Sequence, residues 1–195
     1  LDRQALQRLV NAVRPGTLFV LDEAYFEFAD ADSVNGVELL RESGIAYVVL
    51  RTFSKAYGLA GLRVGYAVCS DSEVARVVSA AKTPFNVNAA AQVAAIAALE
   101  DDGWMKASVA RIRAERERVA MALGKLGLRL APSQTNFLFF DCGGESSALA
   151  ASLLQAGIIV KAWREKGYER FLRVTIGSPA ENDRLIEALG QLVSR

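Results

Sequence analysis

A lysine, a carboxylate, a phenol and an arginine stand just beyond apolar runs of this chain. Lys55 follows the run 45–50, inside Arg51-Thr52-Phe53-Ser54-Lys55-Ala56-Tyr57-Gly58-Leu59-Ala60-Gly61-Leu62-Arg63. Asp22 and Tyr25 follow the run 17–21, inside Leu21-Asp22-Glu23-Ala24-Tyr25. A lysine just past a strand end, among small and hydroxylated residues, is placed as a reactive amine rather than a solvated charge. Together these side chains meet the four demands of pyridoxal phosphate chemistry. A lysine must bond the cofactor aldehyde and later move protons. A carboxylate must keep the pyridine nitrogen protonated, so that the ring can withdraw electrons. A donor must bind the ring's phenolate oxygen, and cations with hydroxyls must hold the phosphate. Lys55 can supply the first and Asp22 the second. Tyr25 can reach the phenolate, and Ser54, Thr52 and Arg63 can serve the phosphate. The 33 residues from Asp22 to Lys55 suit one strand-to-strand crossover.

Each residue alone has a plainer reading. Asp22 could be a turn acid, Tyr25 a boundary aromatic and Lys55 a surface charge. Ser54 and Lys55 are adjacent, and adjacent residues seldom face each other as a hydrolase dyad needs. Gly58, Gly61 and Gly65 have the wrong spacing for a dinucleotide fingerprint and precede a strand. Arg173, in Leu172-Arg173-Val174, lies in an alternating strand. Facing inward it would need an anion such as a substrate carboxylate, which the guanidinium fork would grip. Facing outward it would need none, and spacing alone favours neither.

The elements that must position these residues follow from hydrophobic period. Helices are expected over 2–13, 37–43, 72–81, 88–99, 103–126, 146–156 and 179–193, and strands over 17–21, 45–50, 64–69, 135–140, 158–161 and 171–176. Pro15-Gly16 and Gly44 stop the first two helices. Ser178-Pro179-Ala180-Glu181 carries an N-cap serine, proline at the first helical position and glutamate at the third. Strand, helix, strand with continuous apolar strands predicts an α/β fold with a parallel sheet covered on both faces. Ligands bind such sheets beyond the carboxyl ends of the strands, where Asp22 and Lys55 lie. The long helix at 103–126, with Arg111, Arg113, Glu115, Arg116, Glu117 and Arg118, reads as a solvated charged face, and could also bridge two domains. From Gly127 on, the pattern becomes an α+β unit of its own, so residues 1–102 and 103–195 are expected to divide.

Composition narrows the classes further. The 195 residues are 52% hydrophobic, enough for one or two packed domains. With 23 basic and 22 acidic side chains the net charge is +1, which points to neither nucleic acid nor an anionic membrane as partner. There is no histidine, which removes His triads, His bases and His metal ligands, and no metal site is expected. Cys69 and Cys142 are far apart and read as reduced core thiols of a cytoplasmic protein. No apolar run reaches the length of a membrane span, and no signal peptide opens the chain.

Taken together, these segments resemble the fold-type I pyridoxal phosphate-dependent aminotransferases, most closely the histidinol-phosphate aminotransferase family. The likeness runs in order through Leu21 to Phe28, Arg51 to Tyr66, Pro84-Phe85-Asn86-Val87-Asn88, Ser133 to Leu138, Gly157-Ile158-Ile159-Val160, Leu172 to Gly177 and Glu181-Asn182. It implies that Lys55 binds the cofactor covalently, that Asp22 pairs with the pyridinium nitrogen and that Tyr25 binds the ring oxygen. Ser54 and Arg63 would hold the phosphate, with Thr52 a weaker candidate, and Arg173 would take the substrate carboxylate. The reaction implied is ping-pong transamination between an amino donor and a 2-oxo acid, most closely histidinol phosphate with 2-oxoglutarate in histidine biosynthesis, in a homodimer. Two departures bear on this. Lys161 stands where dedicated histidinol-phosphate enzymes often carry arginine, and Lys161-Ala162-Trp163 looks more like paralogues that take aromatic amino acids. Trp163 could line an aromatic pocket or simply pack. Fold-type I enzymes are also roughly twice this size, so the chain reads as part of the large domain followed by a small α+β domain. On that reading the chain is a C-terminal fragment, and without the other half it could be a non-catalytic remnant.

Overall fold

The computed structural model describes residues 2–30 and 32–193. It divides into two compact units, one ending at Lys106 and the other starting at Ala107.

The first unit opens with α1 (Arg3–Asn11), capped by Asp2, whose carboxylate accepts the Ala5 N–H. Its buried Leu6 and Val10 lie one helical turn apart and enter a core with Leu39, Leu40, Tyr47 and Val49. Strand β1 (Phe19–Asp22), helix α2 (Gly36–Arg41), strand β2 (Tyr47–Thr52) and strand β3 (Gly65–Cys69) follow, and the sheet order is β1-β2-β3. β1 and β2 are parallel, with Asp22 opposite Leu50. The α/β class expected from the sequence holds, but β3 runs antiparallel to β2, with Thr52 opposite Gly65. The reason lies in residues 53–64, which contain a 3₁₀ turn at Ala60–Leu62 and no crossover helix. Phe53 N–H donates to Val64 O at 3.2 Å, so the chain folds straight back along β2. Helices α3 (Ser72–Ala80) and α4 (Ala89–Glu100) complete the unit, and α5 (Asp102–Lys125) begins in it.

The second unit carries β4 (Arg129–Leu130), β5 (Phe137–Asp141), α6 (Ser146–Gln155), β6 (Lys161–Ala162), β7 (Phe171–Thr175) and α7 (Pro179–Val193). Its sheet order is β4-β5-β7-β6, antiparallel throughout. Leu138, Phe140, Leu172 and Val174 point to one face and pack with Val119, Leu123, Leu153, Leu185 and Leu189 of the helices. The strand expected over 158–161 is shorter and later, since Ile159 is exposed and only Lys161 and Ala162 pair with β7. β4 has just two residues, too few to show a period. The arginine-rich face of α5 is not wholly solvated either: Arg116 is buried and donates to Thr135 O at 2.9 Å. The cap predicted for α7 is present. Ser178 N–H and Oγ both donate to Glu181 Oε2 at 2.7 Å, and Glu181 N–H returns to Ser178 Oγ at 3.4 Å.

Both cysteines are free; Cys142 is buried and Cys69 only half-buried. Among the described residues, no helix is long and apolar enough to cross a membrane.

Candidate active site

The sequence places Lys55 in a turn whose apolar residues fix it from below. Phe53, Ala56 and Val64 are buried, with Phe53 and Val64 in a small core beside Ala91 and Ala95 of α4. The Phe53 ring lies 5.0 Å from Tyr57 and 5.8 Å from Tyr66. Ser54 and Lys55, between the two buried anchors, are left on the outer side. Thr52 Oγ1 accepts the Ser54 N–H at 3.1 Å, Leu59 N–H donates to Phe53 O and Gly58 N–H to Lys55 O, so the turn is closed by its own hydrogen bonds. β3 can start beside it because residue 65 is glycine: a Cβ there would lie 2.8 Å from Arg51 O. Arg63, just before, adopts a left-handed backbone with φ of 55° and donates Nη1 to Ala60 O at 2.9 Å.

These elements enclose an open hollow of about 310 Å³ bordered by Asp22, Ala24, Leu50, Arg51, Thr52, Ser54, Lys55 and Arg63. Five residues chosen from sequence for one cofactor thus meet on one surface. Tyr25 stands alongside, with Lys55 Nζ 5.3 Å from its ring centroid. Asp22 Oδ1 accepts the Ala24 N–H at 3.0 Å, which turns the chain after β1. Among the described residues neither Lys55 nor Arg63 has a carboxylate partner, and the Ser54 hydroxyl has no protein partner. Two cations, an unpartnered hydroxyl and a carboxylate around one open hollow suit a ligand that is anionic at one end and protonated at another. The donor set therefore fits pyridoxal phosphate.

The remaining candidates lie in the second unit. Lys161 and Arg173 face each other across β6 and β7, on the sheet face opposite the core. Arg173 lies 5.0 Å from the Phe137 ring and 5.9 Å from the Trp163 ring, and Lys161 Nζ lies 5.3 Å from Trp163. Phe139 stacks on Phe171 at 4.9 Å and meets Trp163 edge-on at 5.4 Å, which widens the aromatic floor. Arg173 is therefore turned away from the core, half-buried and cushioned by aromatic rings, and among the described residues it has no carboxylate partner. A larger hollow of about 580 Å³ borders Lys161 between α6 and β6, but its lining holds no second candidate residue.

Sequence reasoning overlooked one residue that borders the hollow and the partner that holds it. Arg51 borders the hollow, and its side chain is bound by Glu23. Both sit in the quoted motifs, and alternation from Asp22 and Thr52 would have placed them together on the other face of the sheet. It also overlooked the aromatic floor of Phe137 and Phe139 beneath Arg173.

The model of the family described as aminotransferase class I and II matches residues 1–189. Histidinol-phosphate aminotransferase 3 of Rhizobium meliloti (strain 1021) is 48% identical over 96% of this chain and 51% of its own length. An aromatic amino acid aminotransferase of Rhodococcus jostii (strain RHA1) is 44% identical over 94% of this chain and 49% of its own length. The crystal structure of histidinol-phosphate aminotransferase from Sinorhizobium meliloti in complex with pyridoxal-5'-phosphate superposes with a TM-score of 0.89 at 33% identity, over all of this chain and 53% of that one. The chain spans about half the length of the curated relatives it matches. With its motifs in order along nearly the whole sequence, this chain belongs to the aminotransferase class I and II family.

Proposed function

We propose that the protein carrying this chain is a pyridoxal phosphate-dependent aminotransferase that moves an amino group from histidinol phosphate to 2-oxoglutarate. The observation that carries the reading is the single hollow shared by Asp22, Thr52, Ser54, Lys55 and Arg63, beside Tyr25. When bound, the cofactor's ring withdraws electrons from the amino donor's Cα and so acidifies its C–H bond. Lys55 Nζ would be the nucleophile that holds the cofactor and, once displaced by the donor's amino group, the base that carries the proton from the donor's Cα to the cofactor's C4′ carbon. Asp22 keeps a proton on the pyridine nitrogen, and Tyr25 donates to the ring oxygen. Ser54 and Arg63 bind the phosphate, with Thr52 shaping the turn that presents Ser54. Arg173 binds the substrate's anionic end over Phe137 and Trp163, with Lys161 adding charge beside it.

Residues 1–102 act in this reading as part of the large cofactor-binding domain, and 103–195 as the long helix and small domain. The protein acts in the cytoplasm as a homodimer. The Lys161-Ala162-Trp163 sequence and the 44%-identical aromatic relative favour a second reading, in which aromatic amino acids are donors. Steady-state assays of the protein carrying this chain separate the two. A kcat/KM for histidinol phosphate at least about tenfold above that for phenylalanine supports the first reading, and the reverse order supports the second. No turnover with either donor, in protein that binds cofactor, contradicts both.

A further inference from the structure

Behind the hollow, on the covered face of the first sheet, lies a charged cluster that the proposed chemistry does not use. Side chains alternate along a strand. With Asp22 paired to Leu50 and Arg51 to Tyr66, Asp22, Leu50 and Thr52 face the open side, while Glu23, Arg51 and Tyr66 face the covered side. Arg51 Nε and Nη2 both donate to Glu23 Oε2, at 3.0 and 2.8 Å. Nη2 also donates to Asn35 Oδ1 at 3.0 Å, and the guanidinium lies 3.8 Å from the Phe26 ring centroid. The second Glu23 oxygen accepts the Gly36 N–H at 2.8 Å. The arrangement needs glycine at 36, because a Cβ there would collide with Glu23 Oε1 and Leu21 Cδ2.

The pair is well shielded, with the Arg51 and Glu23 side chains only 14% and 10% exposed. An ion pair so removed from water repays its desolvation only where further hydrogen bonds complete it, as Gly36 and Asn35 do here. Its position is what matters. Glu23 is the neighbour of Asp22, Phe26 is the neighbour of Tyr25, and Arg51 is followed by Thr52, Phe53, Ser54 and Lys55. One side chain thus grips the first turn at two points while its backbone leads into the second. Among the described residues, the paired register of the two strands ends at Asp22 and Leu50, with the Glu23 N–H to Leu50 O bond just beyond it.

We infer that the Glu23–Arg51 pair, seated on Gly36, is a clamp that fixes the Asp22–Tyr25 turn against the Thr52–Lys55 turn, which makes Arg51 a positioning residue for Lys55 and Asp22. The consequence for the cofactor rests on the function proposed above; the clamp itself does not.

Two measurements on the same variants test it. Amide hydrogen exchange of the ligand-free chain is compared for wild type, Arg51→Lys, Arg51→Met and Gly36→Ala. The last leaves both charged side chains intact but removes their seat. Loss of a charged hydrogen bond predicts at least about tenfold faster exchange at the Glu23, Ala24 and Ser54 amides in Arg51→Met and Gly36→Ala. Arg51→Lys keeps the charge but loses the fork, so it recovers only part of the protection. The amides of Val48 and Val49 stay as in wild type. Unchanged exchange at Ala24 and Ser54, or equal loosening along all of β2, overturns the clamp. The second measurement adds pyridoxal phosphate and follows the visible band against pH. The clamp predicts that Arg51→Lys shifts the band's apparent pKa by about half a unit or more. A wild-type titration in that variant overturns the positioning role. No band in the wild-type protein carrying this chain contradicts the proposed function instead, and exchange still decides the clamp.

Discussion

Lys55 and Arg63 share an open hollow with Asp22, and among the described residues no carboxylate neutralises either cation. In the proposed function these two charges meet the cofactor's anionic end, and the Asp22 carboxylate, one oxygen of which already accepts the Ala24 N–H, meets the protonated ring nitrogen. Asp22→Asn should keep the cofactor on Lys55 yet slow proton transfer at the donor's Cα by about 10²–10⁴-fold, read by single-turnover kinetics. A variant as fast as wild type would remove Asp22 from the mechanism. In the second unit Asp141 does a different job. Its Oδ1 accepts the Gly143 N–H at 2.9 Å, with Arg170 and Arg129 within 3.2 and 3.0 Å. The Gly143 hydrogen bond first, then the two arginines, hold its carboxyl below the ordinary range. A depressed folded pKa contributes stability above the unfolded value and loses it as pH falls through the folded one. Asp141→Asn should therefore cost about 1 kcal/mol at neutral pH, and the gap should close on acidification below about pH 4. A gap that widens in acid would contradict this assignment. The motif residues could be read from type and spacing, because each has a chemistry few other residues supply. Glu23 and Arg51 were passed over because each looks, in sequence, like an ordinary charge beside a motif; only alternation from Asp22 and Thr52 puts the two on one face.

Most elements were legible because their periods are regular. The two-residue period of a strand sends the side chains of Phe137–Asp141 and Phe171–Thr175 to two faces, and Leu138, Phe140, Leu172 and Val174 fill the packed one. The direction of β3 was not legible, since an apolar run reads alike in either direction and the 53–64 turn decides it. Cap chemistry was fully visible in Ser178-Pro179-Ala180-Glu181. Ser178→Ala should lower the stability of the second unit by about 1 kcal/mol, seen as a lower urea midpoint at an unchanged slope. Leu172→Ala, at a fully buried position in the core of the second unit, should cost about 2–5 kcal/mol in the same experiment. Equal effects from the two substitutions would mean that the core is not where the packing places it.

At the scale of the whole molecule, the chain leaves apolar surface in contact with water. Val20 and Leu50 on the open sheet face are 53% and 38% exposed, and Val93, Ile96 and Leu99 on α4 are all more than half exposed. β1 and β3 also present unpaired edges in the described sheet. Such patches mark surfaces that take partners. In light scattering at micromolar concentration, the 195-residue chain should self-associate. A monodisperse monomer that binds no hydrophobic dye would contradict that expectation.

The central claim is that Lys55 is the residue that holds the cofactor. Pyridoxal phosphate is added to the wild-type protein and to Lys55→Ala, each is reduced with borohydride, and the digests are weighed. The account predicts a visible band in wild type and one cofactor mass fixed on the peptide containing Lys55, with neither in Lys55→Ala. Cofactor fixed elsewhere, or an undiminished band in Lys55→Ala, would contradict it.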